Sequence, residues 1–349
     1  MSPFLSNLLA QPGVLLAIEA AVKIGVVIGV LLGMVAYTVL AERRICALMQ
    51  DRLGPNRVGP FGLFQPIADS FKLLLKENVM PGHVNRLYYV LAPTLVMAPA
   101  LLALAVIPFG NSLAGFKMVI ADLDVGILWV FSIASLGVYG IVLAGWASNS
   151  KYPFLGGIRA SAQLISYEIP MGLSVVSVFL WVGSLKLSSV VEYQSGMWLV
   201  FQQPVAFLIF LISAFAETNR LPFDLPECEQ ELVGGYNTEY GQMKFALFFL
   251  AEYANMIIAS SLLVTLFFGG WQVPFVRVEA FGPLVAGLLG VGAFLVKLLA
   301  FIVLFIWVRW TLPRFRYDQL MRLGWRVLLP LALLNIVVYA FALAIHVRP

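Results

Sequence analysis

The sequence predicts an all-α polytopic membrane protein: eight transmembrane helices, an amphipathic surface helix after the first, and a structured acidic loop between the fifth and sixth. Three observations carry this expectation. Apolar residues make up 61% of the 349 positions and charged residues only 11%, where a soluble domain has about 45–50% and about 25%. Eight apolar stretches are each long enough to cross a bilayer. Lys and Arg crowd into alternate loops. Too few charges remain to build a water-exposed surface, which excludes a soluble globular enzyme, a nucleic-acid binder and a disordered chain.

A crossing helix needs about 20 mostly apolar residues. The stretches fall at 14–41, 87–108, 126–147, 161–183, 198–216, 245–268, 284–308 and 327–346, and they form a single membrane domain over 1–349. Their continuity favours helices over the alternating strands of a membrane barrel. The first stretch is too long for the core of a cleavable signal and lacks a basic leader, so it is expected to remain as a span. One set of loops holds Arg43, Arg44, Arg52, Arg57, Lys72, Lys76 and Arg86, then Lys151 and Arg159, then Arg220 and Lys244, then five arginines between Arg309 and Arg326. The other set holds Lys117, Lys186, Arg277 and Arg348. This asymmetry predicts that the basic loops are cytoplasmic and both termini face outward.

The largest basic-side segments are 42–86 and 217–244, so a soluble partner would meet that face. Residues 60–77 read as a surface helix. Phe61, Phe64, Ile67, Phe71 and Leu74 recur at helical spacing, with Gln65, Asp69, Lys72 and Lys76 opposite. Pro66 must occupy its first turn or mark a break. Gly54-Pro55-Asn56 and Gly59-Pro60 form a rigid turn before it. The stretch itself fits either a membrane-surface anchor or one wall of an entrance for a lipid-soluble ligand.

The second segment concentrates Glu217, Asp224, Glu227, Glu229, Glu231 and Glu239 on the face that should be positive. Pro226 suits the start of a two-turn helix that Gly234-Gly235 would end. Within it Glu227 and Glu231 share a face, where like charges repel. Acids near a helix start also complement its dipole, so a structural role and a proton-storing cluster both remain open.

Within the spans lie Glu19, Lys23, Glu168, Glu252 and Lys297. Each such charge costs a few kcal/mol and faces a protein interior or a water path. Glu–Lys pairing would explain them structurally, and Glu19 reads as interfacial. Glu168 and Glu252, with Glu217 at the end of the fifth span, suit a proton path. His83 and His346, the two histidines, fall on opposite sides, and Cys46 and Cys228 form no CxxC pair. No haem, iron–sulfur, metal or nucleotide motif is present, and no catalytic residue is expected in this chain. The chemistry alone leaves a proton-conducting subunit, a lipophilic-ligand site or a membrane anchor.

Two long motifs then resemble one family. AERRICALMQDRLGPNRVGPFGLFQPIADSFKLLLKE (41–77) and AETNRLPFDLPECEQELVGGYNTEYGQMKFALFFLAEY (216–253), with SYEIP in the fourth span, are similar to the quinone-binding membrane subunit of bacterial NADH–quinone oxidoreductase (respiratory complex I), the counterpart of mitochondrial subunit 1. The resemblance implies a place at the heel of the membrane arm in the bacterial inner membrane. Hydrophilic-arm subunits would sit on the cytoplasmic face, with other membrane-arm subunits and lipid alongside. Flavin mononucleotide and the iron–sulfur clusters would lie in those partners, and quinone would be the substrate. Carried over, Arg43, Arg44, Phe61, Phe64, Gln65, Asp69, Phe71 and Lys72 would frame the quinone chamber. Glu168, Glu217, Asp224, Glu227, Glu229, Glu231 and Glu252 would form the acidic path. Cys46 and Cys228 fall at variable positions of the motifs and carry no expected role. A related hydrogenase membrane subunit, a stand-alone ion transporter and a passive anchor are the rivals.

Overall fold

The computed structural model describes residues 12–113, 115–225, 229–274 and 282–346. Its main helices are α1 (Pro12–Met49), α2 (Gln65–Leu75), α3 (Arg86–Ala103), α4 (Gly126–Ala147), α5 (Lys151–Val182), α6 (Leu187–Tyr193), α7 (Leu199–Gln202), α8 (Pro204–Glu217), α9 (Glu229–Leu232), α10 (Gln242–Phe267), α11 (Pro283–Thr311), α12 (Tyr317–Arg322) and α13 (Leu329–His346). A two-residue antiparallel hairpin, β1 (Ser112–Leu113) and β2 (Phe116–Lys117), decorates the loop before α4. Among the described residues, seven helical segments are long and apolar enough to cross a membrane.

The sequence predicts eight. The difference lies at 198–216, which folds as α7 and α8 with Gln203 between them in a non-helical conformation. Pro204 has no N–H to continue the ladder, so it starts a new helix instead of extending the old one. The 14 residues of α8 reach about 21 Å, short of a hydrocarbon core of about 30 Å. Gln203 is fully buried and exchanges hydrogen bonds with Ser177 on α5, at 3.0 Å in each direction, which satisfies the break internally.

Other boundaries shift as well. The 38-residue α1 carries Arg43 and Arg44 on its last turns, so the segment predicted as a loop from 42 is helical as far as Met49. The 32-residue α5 begins ten residues before the predicted fourth span. The surface helix is Gln65–Leu75, not 60–77. Pro66 occupies its first turn, one of the two places open to it, but Pro60–Gly62 forms a separate 3-10 turn with Phe61 and Gly62 at positive φ. A Cβ at Gly62 would sit 2.3 Å from the Pro55 carbonyl oxygen, so that turn needs glycine. Pro226, Glu227 and Cys228 lie outside the described residues, and α9 closes into the Gly235–Asn237 turn. The last span is preceded by a π-helical turn, Leu323–Leu328.

The core lies between α5, α8, α10 and α11. Tyr167, Phe210, Phe267, Phe294 and Phe305 are fully buried there. Outside it, α1, α4 and α13 leave apolar faces open, as helices bordering lipid or other chains must.

Two polar fixtures hold the spans. Glu19, read from the sequence as interfacial, pairs with Lys23 one turn on at 2.7 Å, the alternative structural explanation for charges in the spans. Lys297 on α11 finds no carboxylate among the described residues. It donates to the carbonyls of Phe268, Gly270 and Gln272 at 2.7, 3.0 and 2.6 Å, just past the end of α10. The Trp198 ring lies 4.7 Å from the same ammonium. A cation there satisfies carbonyls that the helix end leaves free.

Candidate functional site

The centre of the site is Arg220, just beyond α8, with a side chain only 3% exposed. Its Nη1 donates to Glu42 Oε2 at 3.0 Å, and its Nε lies 2.6 Å from Glu252 Oε1. Tyr253 donates its hydroxyl to Glu42 Oε2 at 2.7 Å and offers its ring to the guanidinium at 4.2 Å. Arg309, from the end of α11, donates to the other oxygen of Glu42. Four segments thus meet at one buried cluster: α1, the loop after α8, α10 and α11. Burial works against a charge on Arg220, but the carboxylates of Glu252 and Glu42 outweigh it and hold the guanidinium above its ordinary pKa.

Two cavities flank this cluster. One, of about 440 Å³, is bounded by Val39, Glu42, Arg43, Phe249, Tyr253 and Arg309. The other, of about 80 Å³, lies between α3, α4, α5, α8 and α10, and Glu168, Glu217 and Glu252 all line it. Glu252 therefore touches both the Arg220 cluster and the second cavity. The three carboxylates come from three helices, 49 and 35 positions apart in sequence, so only folding brings them together.

The other residues expected at a quinone site divide into two groups. Arg43 donates to Asp69 Oδ2 at 2.8 Å, and Gln65 donates to Asp69 Oδ1 at 2.9 Å. Arg44 reaches back to the Phe61 carbonyl. These contacts tie α2 to the end of α1 beside the larger cavity. The rings of Phe61, Phe64 and Phe71 are 82%, 52% and 59% exposed and line neither cavity, and Lys72 is exposed too. The apolar side of α2 therefore points outward, as a helix lying in an interface requires.

The rest of the acidic set behaves differently from the cavity carboxylates. Asp224 is part-buried and accepts from Arg314 Nη2 at 3.1 Å. Burial pushes its carboxyl above the usual value, against the pull of Arg314, Arg309 and Arg220. Glu231 pairs with Arg159 of α5 at 2.8 Å and is 55% exposed. Glu227 and the side chain of Glu229 lie outside the described residues. Among the described residues, no cluster of three His, Cys, Asp or Glu side chains is placed to hold a metal ion.

Sequence reasoning missed Glu42 and the bridging role of Arg220. Glu42 is the single acid in the run AERRICALMQ, next to two arginines. That oddity was the available signal: an acid at the basic end of a span has little reason to be there unless something buried pairs with it.

The fold and site define a multi-pass helical membrane protein with a buried ion cluster between two cavities. The chain belongs to the NADH dehydrogenase family, whose model matches residues 22–340. It is 53% identical over 318 residues to NADH-quinone oxidoreductase subunit 8 of Rhodothermus marinus, covering 88% of this chain and 92% of that one. It is 50% identical over 333 residues to the H subunit of NADH-quinone oxidoreductase from Flavobacterium psychrophilum, covering 93% and 97%. The corresponding H subunit of Leptospira biflexa is 54% identical over 310 residues, 85% of this chain and 86% of its own.

Proposed function

We propose that this chain is the membrane subunit of a proton-pumping NADH:quinone oxidoreductase that forms the bilayer part of the quinone chamber and hands the effect of quinone reduction to a row of carboxylates. The single observation that carries the reading is the bridge Glu42–Arg220–Glu252 between the two cavities. A tailed quinone would enter beside α2 and the end of α1, where Arg43, Gln65 and Asp69 are held together. The larger cavity would receive part of it, and chains of the hydrophilic arm would complete the chamber. Flavin and iron–sulfur centres in those chains would supply the electrons. The basic loops would face the cytoplasm of a bacterial inner membrane, with both termini on the outer side.

Reducing a quinone takes two electrons and two protons. Negative charge develops before the protons arrive, and Glu42, Arg43, Arg52 and Arg309 are the charges lining the larger cavity, with Arg220 directly behind Glu42. A change in their balance alters the field at Glu252, and through the second cavity at Glu217 and Glu168. Asp224 and Glu231, each already tied to an arginine, are placed to hold the acidic loop in position while Glu227 and Glu229 extend the path. One unit of pKa corresponds to about 1.4 kcal/mol, so a few coupled carboxyls suffice to carry useful energy.

The test is proton translocation per electron in proteoliposomes holding the assembled complex. Glu217→Gln and Glu168→Gln should retain quinone binding and lose pumping. Normal pumping in an assembled E217Q enzyme would refute the carboxylate row. A hydrogenase-related subunit would instead co-purify without quinone reductase activity, and a stand-alone transporter would carry ions as a purified single chain.

A further inference from the structure

Among the described residues, Arg322 and Arg326 on the basic side stand without a counterion. On that side Arg159, Arg220, Arg309 and Arg314 each have a carboxylate partner, while Arg44, Arg57 and Arg86 also form no ion pair among the described residues, so what distinguishes Arg322 and Arg326 is what surrounds them. Arg322 ends α12 and Arg326 lies in the π-helical turn after it. Both are exposed, and neither forms an ion pair among the described residues. Asp318, one turn earlier, is exposed and does not reach Arg322. Like charges four positions apart repel, so the fold gains nothing from this pair by itself.

Their surroundings indicate what they meet. Trp325 stands between them, 46% exposed, with its indole N–H donated to Ser166 Oγ at 3.0 Å, which fixes the turn against α5. Directly after it Val327, Leu331, Leu334, Val338 and Phe341 form an exposed apolar row at alternating four- and three-residue spacing. The 15 residues from Val327 to Phe341 place its ends about 21 Å apart, more than the hydrocarbon depth of one leaflet. A guanidinium pair with an amphipathic ring, set at the end of an apolar row, matches a phosphate above acyl chains. An acidic protein surface would meet the arginines but would leave the row beneath them uncovered.

We propose that Arg322, Arg326 and Trp325 bind the phosphate headgroup of an anionic phospholipid in the leaflet on the basic side, with its acyl chains along the exposed row of α13. This site is separate from the quinone reading and stands without it.

The test uses the solubilised protein with whatever chains co-purify. A phosphatidylglycerol carrying a photoreactive acyl chain is added in mixed micelles, and labelled peptides are mapped. Label should fall within 327–341, with competition by unlabelled phosphatidylglycerol and not by phosphatidylcholine. R322Q/R326Q should weaken binding about 25-fold, at roughly fivefold per charge, and R322K/R326K should restore most of it. Equal competition by phosphatidylcholine would overturn the proposal, as would labelling unchanged in R322Q/R326Q. So would a double variant that keeps its lipid and sheds a co-purifying protein. The competition arm uses unaltered protein, so it decides even if the glutamine variant fails to fold.

Discussion

Arg220→Met removes the cation that three acidic or phenolic side chains share. At an effective dielectric of about 20, each Arg220–carboxylate contact near 3 Å is worth about 5 kcal/mol in coulombic terms. Desolvating the ions offsets much of that, and measured losses on breaking a buried pair are about 3–5 kcal/mol. The same range is expected here, because Arg220 is 3% exposed and touches both Glu42 and Glu252. Its removal leaves Arg309 to balance two carboxylates. The second substitution Glu252→Gln restores that balance, since Glu42 keeps Arg309 and Tyr253. R220M/E252Q should therefore recover at least about 2 kcal/mol relative to R220M. Thermal inactivation of the detergent-solubilised protein, followed by size exclusion, reads this as a rate. R220M should inactivate one to three orders of magnitude faster than the parent, and the double variant more slowly than R220M. An R220M protein as durable as the parent, or additive losses in the double variant, would refute the account of a shared buried charge.

Three further outcomes follow from other parts of the fold. Lys297→Met strands three carbonyls past the end of α10 and should cost about 2–4 kcal/mol, with hydrogen exchange rising in residues 265–272; unchanged exchange would contradict the clamp. Gly156→Ala places a methyl 2.8 Å from Gly235 Cα and Tyr236 N, so the acidic loop should lift from α5 and be cleaved faster in limited proteolysis, at a cost of about 1–3 kcal/mol. Asp122 would be raised by burial, but hydrogen bonds from Lys186 and Ser188 hold it below its ordinary 3.8. Its stabilising contribution is therefore complete above that value and disappears as pH falls through the lowered one. Asp122→Asn should melt earlier than the parent at pH 7, and the gap should close in strong acid; a gap constant with pH would argue against the ion pair.

What could be read from the sequence was whatever repeats locally. Apolar run length located seven of the eight predicted spans, and of the two places open to Pro66, the first turn or a break, the structure takes the first turn. The rarity of acids in hydrocarbon singled out Glu168 and Glu252, which the fold brings to one cavity with Glu217. The break at Gln203–Pro204 was hidden because both halves are apolar and their sum has the length of a span. Glu42 was hidden for a different reason. Its partners lie 178, 211 and 267 positions away, and no local period encodes a contact at that range. The outward rings of Phe61, Phe64 and Phe71 show the same limit, since helical spacing identifies a face but not its neighbour.

The Lys297 clamp constrains how the chain is assembled during synthesis. When α10 first enters the bilayer, the carbonyls of Phe268, Gly270 and Gln272 have no donor, and the one they await is 25 to 29 residues further along. That donor sits in the middle of the next span, where an unmatched ammonium would resist partitioning by itself. Each helix supplies what the other lacks, so pairing α10 with α11 removes both costs at once.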